Sequence, residues 1–254
     1  MGEIITLSNQ KGGSGKTTTA HALGAGLSDR GFKILFVDLD AQRNLTYVSG
    51  IDAASITSLD ILTGKATAAE AIHHCEKYDI IPSSANLSGS DRIITDTGRE
   101  YRLKEAIDPL RQNYDYVIID TSPARSILTV NAFTASDKLI IPTAADAFSL
   151  QGIGGISEVI TAVQKYTNPA LVVDGILLTR YSARTILSRD LATLAEDVAG
   201  MMQTTIYKAF IRENISIREA QALRTDIFTY APRSNGAADY NAFIDEFLKG
   251  RSET

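Results

Sequence analysis

The sequence predicts a doubly wound α/β fold, a mainly parallel sheet flanked by helices. Three observations predict it. Apolar runs of strand length alternate with stretches of helical spacing along nearly the whole chain. No proline- or glycine-rich linker, internal repeat or low-complexity stretch interrupts that alternation. The first apolar run, Ile4-Ile5-Thr6-Leu7, ends in a glycine-rich turn that opens a helical pattern from about Thr17 to Asp29.

That turn, Gln10-Lys11-Gly12-Gly13-Ser14-Gly15-Lys16-Thr17-Thr18, organises the chain. Strand, glycine-rich turn and helix is the context in which a loop binds phosphate. Glycines let consecutive N–H groups point into one concavity, and the helix N-terminus adds partial positive charge. Gly12, Gly13, Ser14, Gly15 and Thr18 belong to this cradle, Lys16 would reach the β- and γ-phosphates, and the Thr17 hydroxyl would ligate magnesium. The strict pattern G-x-x-x-x-G-K-[ST] fails at its first glycine, which would fall at Gln10. A second lysine, Lys11, opens the loop instead; alone, it reads as a solvated loop charge.

The later elements follow in order. Gly31 stops the first helix. Lys33 to Asp38 reads as a second buried strand, running into Asp38-Leu39-Asp40-Ala41-Gln42-Arg43-Asn44. Carboxylates at the carboxyl end of a strand sit where parallel α/β sheets bind ligands; the competing reading makes them turn or capping residues. Residues 52–76 are polar and alanine-rich and predict a short helical surface insertion. Within it His73-His74-Cys75 resembles a metal cluster, but neighbours splay apart on a helix, so the trio reads as surface. A brief strand from Tyr78 to Pro82 and a mixed-charge helix from Arg99 to Gln112 follow. The strand from Tyr114 ends in Asp120, a carboxylate suited to hold magnesium through water and complete what Thr17 begins. Pro123 marks the turn into the next helix. Beyond it the pattern gives a helix, a turn and a buried strand across Asn131 to Thr143, then an amphipathic helix from Ser149 to Tyr166. A strand from Leu171 to Leu178, a helix from Leu187 to Met202 and a short strand, Thr205 to Tyr207, come next. The segment Ile211 to Leu223 and a terminal helix, Tyr240 to Lys249, complete the chain.

Composition narrows the function. The 254 residues carry 25 basic and 30 acidic side chains, a net charge of −5, which argues against wholesale coating of nucleic acid. Between Arg180 and Arg233, however, eight Lys and Arg face six Asp and Glu, so any anionic partner is expected in the C-terminal half. No run of 18 apolar residues predicts a membrane span. The N-terminus enters a strand at once, leaving no room for a signal peptide. The single Cys75 excludes an intrachain disulfide and a cysteine-built metal site in one chain, and a reducing cytoplasm is the expected compartment.

The run Lys11 to Thr18 resembles the deviant Walker A loop of the ParA/MinD family of ATPases. Asp38 to Asn44 resembles that family's D-x-D-P-Q-G-N segment, with Ala41 for the proline and Arg43 for the glycine. Ile81-Pro82-Ser83-Ser84-Ala85-Asn86-Leu87-Ser88 is similar to its I-P-S-x-x-x-L-S, and Asp120-Thr121-Ser122-Pro123 to its D-x-P-P. Asn131 to Thr143 and Gly175 to Tyr181 are similar to N-A-L-x-A-S-D-x-x-x-I-P-V and G-x-L-L-T-x-Y/F. The resemblance covers about residues 3 to 248. It implies a slow ATPase working with ATP and magnesium, in which Lys11 reaches across a dimer interface to the partner's nucleotide and Asp40 positions the attacking water. Arg180 and Ile211 would border the adenine. It further implies an ATP-dependent homodimer that binds double-stranded DNA without sequence preference and a ParB-like centromere-binding protein that stimulates hydrolysis. The expected role is a nucleoid-associated ATPase of chromosome or plasmid partition.

The family's I-P-R-N-V-R-L-S-E-A aligns with Ile211 to Ala220, but its arginines have moved, so the candidate DNA contacts are Arg184, Arg189, Arg212 and Arg218. Larger plasmid-type relatives carry an N-terminal DNA-reading domain; residues 1–254 read as one ATPase domain without it, and operator-specific repression is not expected. The alternative is a MinD-like ATPase on a membrane or other cell surface. The stretch Tyr240 to Lys249 is amphipathic, but anionic lipid would repel Asp245 and Glu246, so its apolar stripe reads as core packing. An electron-transferring reductase such as nitrogenase iron protein needs two cluster cysteines, and Cys75 stands alone.

Overall fold

The computed structural model describes residues 1–144, 147–181 and 195–250, and the backbone alone of 147–153. Seven strands form one sheet: β1 (Glu3–Leu7), β2 (Ile34–Leu39), β3 (His73–His74), β4 (Asp79–Ile81), β5 (Tyr116–Thr121), β6 (Lys138–Ala144) and β7 (Val172–Thr179). Their order is β3-β4-β2-β5-β1-β6-β7, parallel throughout except the β3–β4 hairpin. The chain leaves β1 for β2 on one side, and later enters β6 on the other. The carboxyl ends of β1, β2 and β5 therefore meet at a topological switch point, where open α/β sheets bind ligands.

Strands covered on both faces read as continuous apolar runs rather than alternating ones, and β2 and β5 are buried at every residue. On one face, Ile5, Leu7 and Phe36 pack against Leu23 and Leu27 of helix Lys16–Ser28 and Tyr240, Phe243 and Phe247 of helix Asn235–Lys249. On the other, Ile4, Val37 and Ile119 pack against Leu103, Phe133, Ile156 and Ile160 from three further helices. Helix Lys16–Ser28 approaches the sheet so closely that a Cβ at Gly24 would lie 2.1 Å from Phe36 Cζ.

The expected doubly wound, mainly parallel sheet is present, and the differences have local causes. Residues 58–71 hold two short helical turns, but His73 and His74 form edge strand β3, because His73 pairs with Ile80 and His74 with Asp79. His74 Nδ1 lies 2.7 Å from Asp79 Oδ1, and no cluster of three metal-ligating side chains exists among the described residues. Pro109, which lacks an N–H, falls where the expected helix Arg99 to Gln112 becomes an α-turn flanked by tighter 3-10 turns. Thr205 to Tyr207 contributes only a bridge at Ile206 to Ile176. Of the helix expected from Leu187 to Met202, residues 195–201 are helical and 187–194 lie outside the described residues. Asn214 caps helix Ile215–Ala222, which starts after Ile211 because Ile211 is bridged to Thr179. Ser234 accepts from Ala237 N at 3.2 Å and starts the terminal helix five residues before Tyr240. Its apolar stripe is core, with Phe243 and Ile244 fully buried.

Candidate nucleotide site

The glycine-rich loop links β1 to helix Lys16–Ser28 at the switch point. Gly13 and Gly15 take φ of 75° and 88°, the left-handed region that favours glycine. A Cβ at Gly15 would sit 3.3 Å from Thr179 Cγ2 at the end of β7, and Thr179 Oγ1 donates to Ser14 O at 2.9 Å. Thr179 thus fixes the loop from the end of β7, two strands away from β1. Lys16 is buried, and its ammonium donates to Lys11 O at 3.1 Å, folding the loop over its own side chain. Asn9 Oδ1 accepts from Lys11 N at 3.0 Å and anchors the loop's start.

Three carboxylates face this loop. Asp38 and Asp120 are register partners across β2 and β5, so their charges lie side by side. Thr17 Oγ1 donates to Asp120 Oδ2 at 2.6 Å, while Asp120 Oδ1 is buried with no hydrogen-bond partner. Burial, and then the Asp38 charge, push the Asp120 carboxyl well above its usual range; burial also raises Asp38 to about 6. Burial lowers the Lys16 ammonium, and Asp120 and Asp40 oppose that shift. Crowded, desolvated carboxylates beside a hydroxyl make a site that gains from a cation.

Asp40 is buried at the start of the loop after β2, its Oδ1 accepting from Gln42 N at 2.9 Å. The loop is closed from within by Asp38, which accepts from Asp40 N on Oδ1 and from Thr46 N and Oγ1 on Oδ2. Ser83, just after β4, donates to Asp40 O at 2.6 Å. Of the two strand-end aspartates, Asp38 is therefore the structural clamp and Asp40 the one presented to the cleft.

Two clefts flank the first turn of helix Lys16–Ser28. The phosphate-side cleft, about 480 Å³, is bounded by Gly12, Lys16, Thr17, Asp40, Tyr47 and Gln221. The other, about 280 Å³, lies between Gly13, Thr179, Arg180, Ile211 and the start of helix Ile215–Ala222. Arg180 and Ile211 line this cleft together beside the loop. Gln221 Nε2 donates to Thr18 Oγ1 at 2.8 Å and joins that helix to the loop. Thr179, Ser83 and Gln221 were not singled out by sequence, because each acts through a contact that no local pattern announces.

The arginine candidates are less uniform. Arg212 forms a two-pronged pair with Asp239, with Nη2 to Oδ1 at 2.6 Å and Nε to Oδ2 at 2.9 Å. Arg218 Nη2 meets Glu213 Oε1 at 2.8 Å, and its side chain is 65% exposed. Both line the 280 Å³ cleft. Arg184 and Arg189 lie outside the described residues.

A phosphate loop at the switch point, backed by Thr17 and Asp120, defines a nucleoside triphosphatase of the P-loop class. Residues 2–173 match the family described as AAA domain. The chain is 39% identical over 245 residues to the sporulation initiation inhibitor protein Soj of Bacillus subtilis, covering 94% of this chain and 96% of that one. It is 35% identical to the chromosome partitioning protein ParA of Caulobacter vibrioides, covering 96% and 93%. Among solved structures it is similar to cobyrinic acid a,c-diamide synthase from Mycobacterium smegmatis with bound ADP and magnesium, at TM-score 0.86, 31% identity, and 99% and 96% coverage. It is also similar to the cell division ATPase MinD of Pyrococcus furiosus, at TM-score 0.78, 27% identity, and 98% and 99% coverage. The chain belongs to the ParA/Soj family of ATPases.

Proposed function

We propose that this protein is an ATP-driven switch for DNA partition. The observation that carries the reading is that Lys16, Thr17 and Asp40 line one cleft under a glycine-rich loop, with buried Asp120 behind them bonded to the Thr17 hydroxyl. The near full-length likeness to Soj and ParA chains points that switch toward partitioning. ATP is the substrate and magnesium the cofactor. The Thr17 hydroxyl and the unpartnered Asp120 Oδ1 fit a hydrated divalent cation. A magnesium ion held there by Thr17 and, through water, by Asp120 would supply neutralising charge to the triphosphate.

Lys16 and the loop amides hold the γ-phosphate and stabilise charge on it during transfer. Asp40, which lines the same cleft, orients the attacking water. Lys11 of a second copy adds positive charge to the same nucleotide, so the catalytic site is complete only in the dimer. Arg180 and Ile211 flank the base.

The ATP-bound homodimer binds double-stranded DNA without sequence preference, through paired arginine surfaces that include Arg212 and Arg218, with Arg184 and Arg189 as further contacts. A ParB-like centromere-binding protein stimulates hydrolysis and releases the dimer, and the protein is nucleoid-associated in the cytoplasm. The MinD-like alternative has less support, because the terminal helix spends its apolar stripe on the core. Among the described residues no helix is long and apolar enough to cross a membrane. Size-exclusion chromatography with light scattering tests the switch. ATP with magnesium is expected to give a dimer and ADP a monomer; a monomer in both contradicts it.

A further inference from the structure

A ring of contacts closes around the phosphate-side cleft, and two of its links lie outside both the phosphate loop and the carboxylates. The first is Arg43. It takes φ of 59°, the left-handed region, at the position where the similar family segment has glycine. Its N–H donates to Asp40 O at 2.9 Å, so its backbone fixes the turn that presents Asp40. Its side chain crosses outward, and Nη2 donates to Asp52 O at 2.9 Å.

The second link is Asp52 itself. Its carboxylate holds Arg224 Nη2 at 2.6 Å, and the Arg224 guanidinium lies 4.3 Å from the centre of the Tyr47 ring. Arg224, also left-handed at φ 54°, ends the chain segment begun by helix Ile215–Ala222. That helix is bonded to the phosphate loop through Gln221 and Thr18. Segment 40–52, which includes the short helix Asn44–Val48, and helix Ile215–Ala222 belong to distant parts of the chain. They meet at the rim of the cleft whose walls include Asp40, Tyr47, Gln221 and Ala222.

We propose that Arg224 and Asp52 form a latch across the rim of the phosphate-side cleft that, with Tyr47 and Arg43, holds the Asp40 loop in its position for hydrolysis. These four are positioning residues. Asp38 and Ser83 anchor the loop from its buried side; the latch anchors it from the solvent side. The Asp52 side chain is 74% exposed, and a pair this exposed adds little to folding stability, which makes an effect on rate diagnostic. Arginine suits the place because one planar group both pairs with a carboxylate and stacks on an aromatic ring.

The proposal rests on the ATPase reading, and its test separates the two. Arg224→Ala, Asp52→Ala, Arg224→Lys and the charge-swapped double variant Asp52→Arg/Arg224→Asp are compared with the unmodified protein. Four readouts are taken: steady-state ATP hydrolysis, affinity for a fluorescent ATP analogue, thermal midpoint, and amide hydrogen exchange over 40–48. The single alanine variants are expected to lower kcat by about ten- to a hundredfold, since a displacement of about 1 Å costs up to roughly a hundredfold. Nucleotide affinity and thermal midpoint stay near those of the unmodified protein, and exchange over 40–48 rises. The lysine variant falls between, and the charge swap recovers part of the lost rate. An unchanged or raised kcat, or a loss of ATP binding that matches the loss of rate, overturns the latch. If the unmodified protein does not hydrolyse ATP, the ATPase reading fails, while unchanged exchange over 40–48 in the alanine variants still refutes the latch by itself.

Discussion

Thr17 and Asp120 lie 103 residues apart in sequence and meet hydroxyl to carboxylate at 2.6 Å, beneath the phosphate loop and beside Lys16. The first prediction follows from this pair. Lys16→Gln is expected to abolish binding of a fluorescent ATP analogue. Thr17→Ala is expected to leave weak binding that no longer strengthens when magnesium is added. Affinity at the wild-type level in the Lys16 variant contradicts the site.

Asp40 and Lys11 separate binding from turnover. Asp40→Ala is expected to bind ATP, dimerise and fail to hydrolyse, giving a dimer that persists in light scattering after wild-type protein has returned to monomer. Lys11→Ala is expected to keep some nucleotide binding but lose both hydrolysis and ATP-dependent dimerisation. An Asp40→Ala protein that turns over at the wild-type rate would remove Asp40 from the chemistry.

Gly24 is a packing position. A methyl group there would meet Phe36 at 2.1 Å in a face where Phe36 is fully buried. Overpacking of this kind costs about 1–3 kcal/mol. Gly24→Ala is therefore expected to lower the urea midpoint with an unchanged denaturant slope, and an unaltered midpoint would show that helix Lys16–Ser28 sits farther from the sheet.

His21 gives stability a pH dependence. It is buried between Phe36 and Tyr78, with Tyr78 OH 2.9 Å from Nε2, and Asp226 and Lys77 are the charges that face it. Burial lowers its pKa to about 4, with Asp226 opposing and Lys77 adding to the shift. The unfolded chain therefore binds the proton more readily, so this contribution is complete above pH ~6.5 and is lost as pH falls toward 4. The gap corresponds to ~3 kcal/mol. His21→Gln keeps a polar partner for Tyr78 and is expected to flatten the acid limb of the urea midpoint against pH. The raised Asp38 carboxyl acts in the opposite sense, but it is common to both proteins and cancels in the difference. Equal acid limbs would place His21 in water.

The sheet and the phosphate loop were legible because both are local. A short, mostly apolar strand, a glycine turn and a helix announce themselves within twenty-odd residues. Asp40 and Asp120 were legible as strand-end carboxylates. What distinguished Asp38 from Asp40 was not legible from spacing and came only from the family resemblance, since the difference lies in their contacts: Asp38 turns back to Asp40 N and Thr46, while Asp40 bonds Gln42 N and lines the cleft. Thr179, Gln221 and Ser83 reach the loop from β7, from helix Ile215–Ala222 and from the turn after β4. Their sequence neighbourhoods carry no sign of those partners. His73 and His74 were misread as helical because the polar, alanine-rich stretch around them outweighed a hairpin only two residues long. The arginines near Ile211 were legible as charge but not as ion pairs with Glu213 and Asp239.

The most direct test of the partitioning role is duplex binding in each nucleotide state. Wild-type protein is titrated onto an arbitrary fluorescent double-stranded DNA with ATP and magnesium or with ADP, at low and then rising salt. ATP-dependent binding that weakens steeply with salt, and that Arg189→Glu with Arg218→Glu abolishes while ATP binding persists, is the expected result. No duplex binding by the ATP dimer even at low salt would contradict it and move a protein-surface or membrane-surface role ahead.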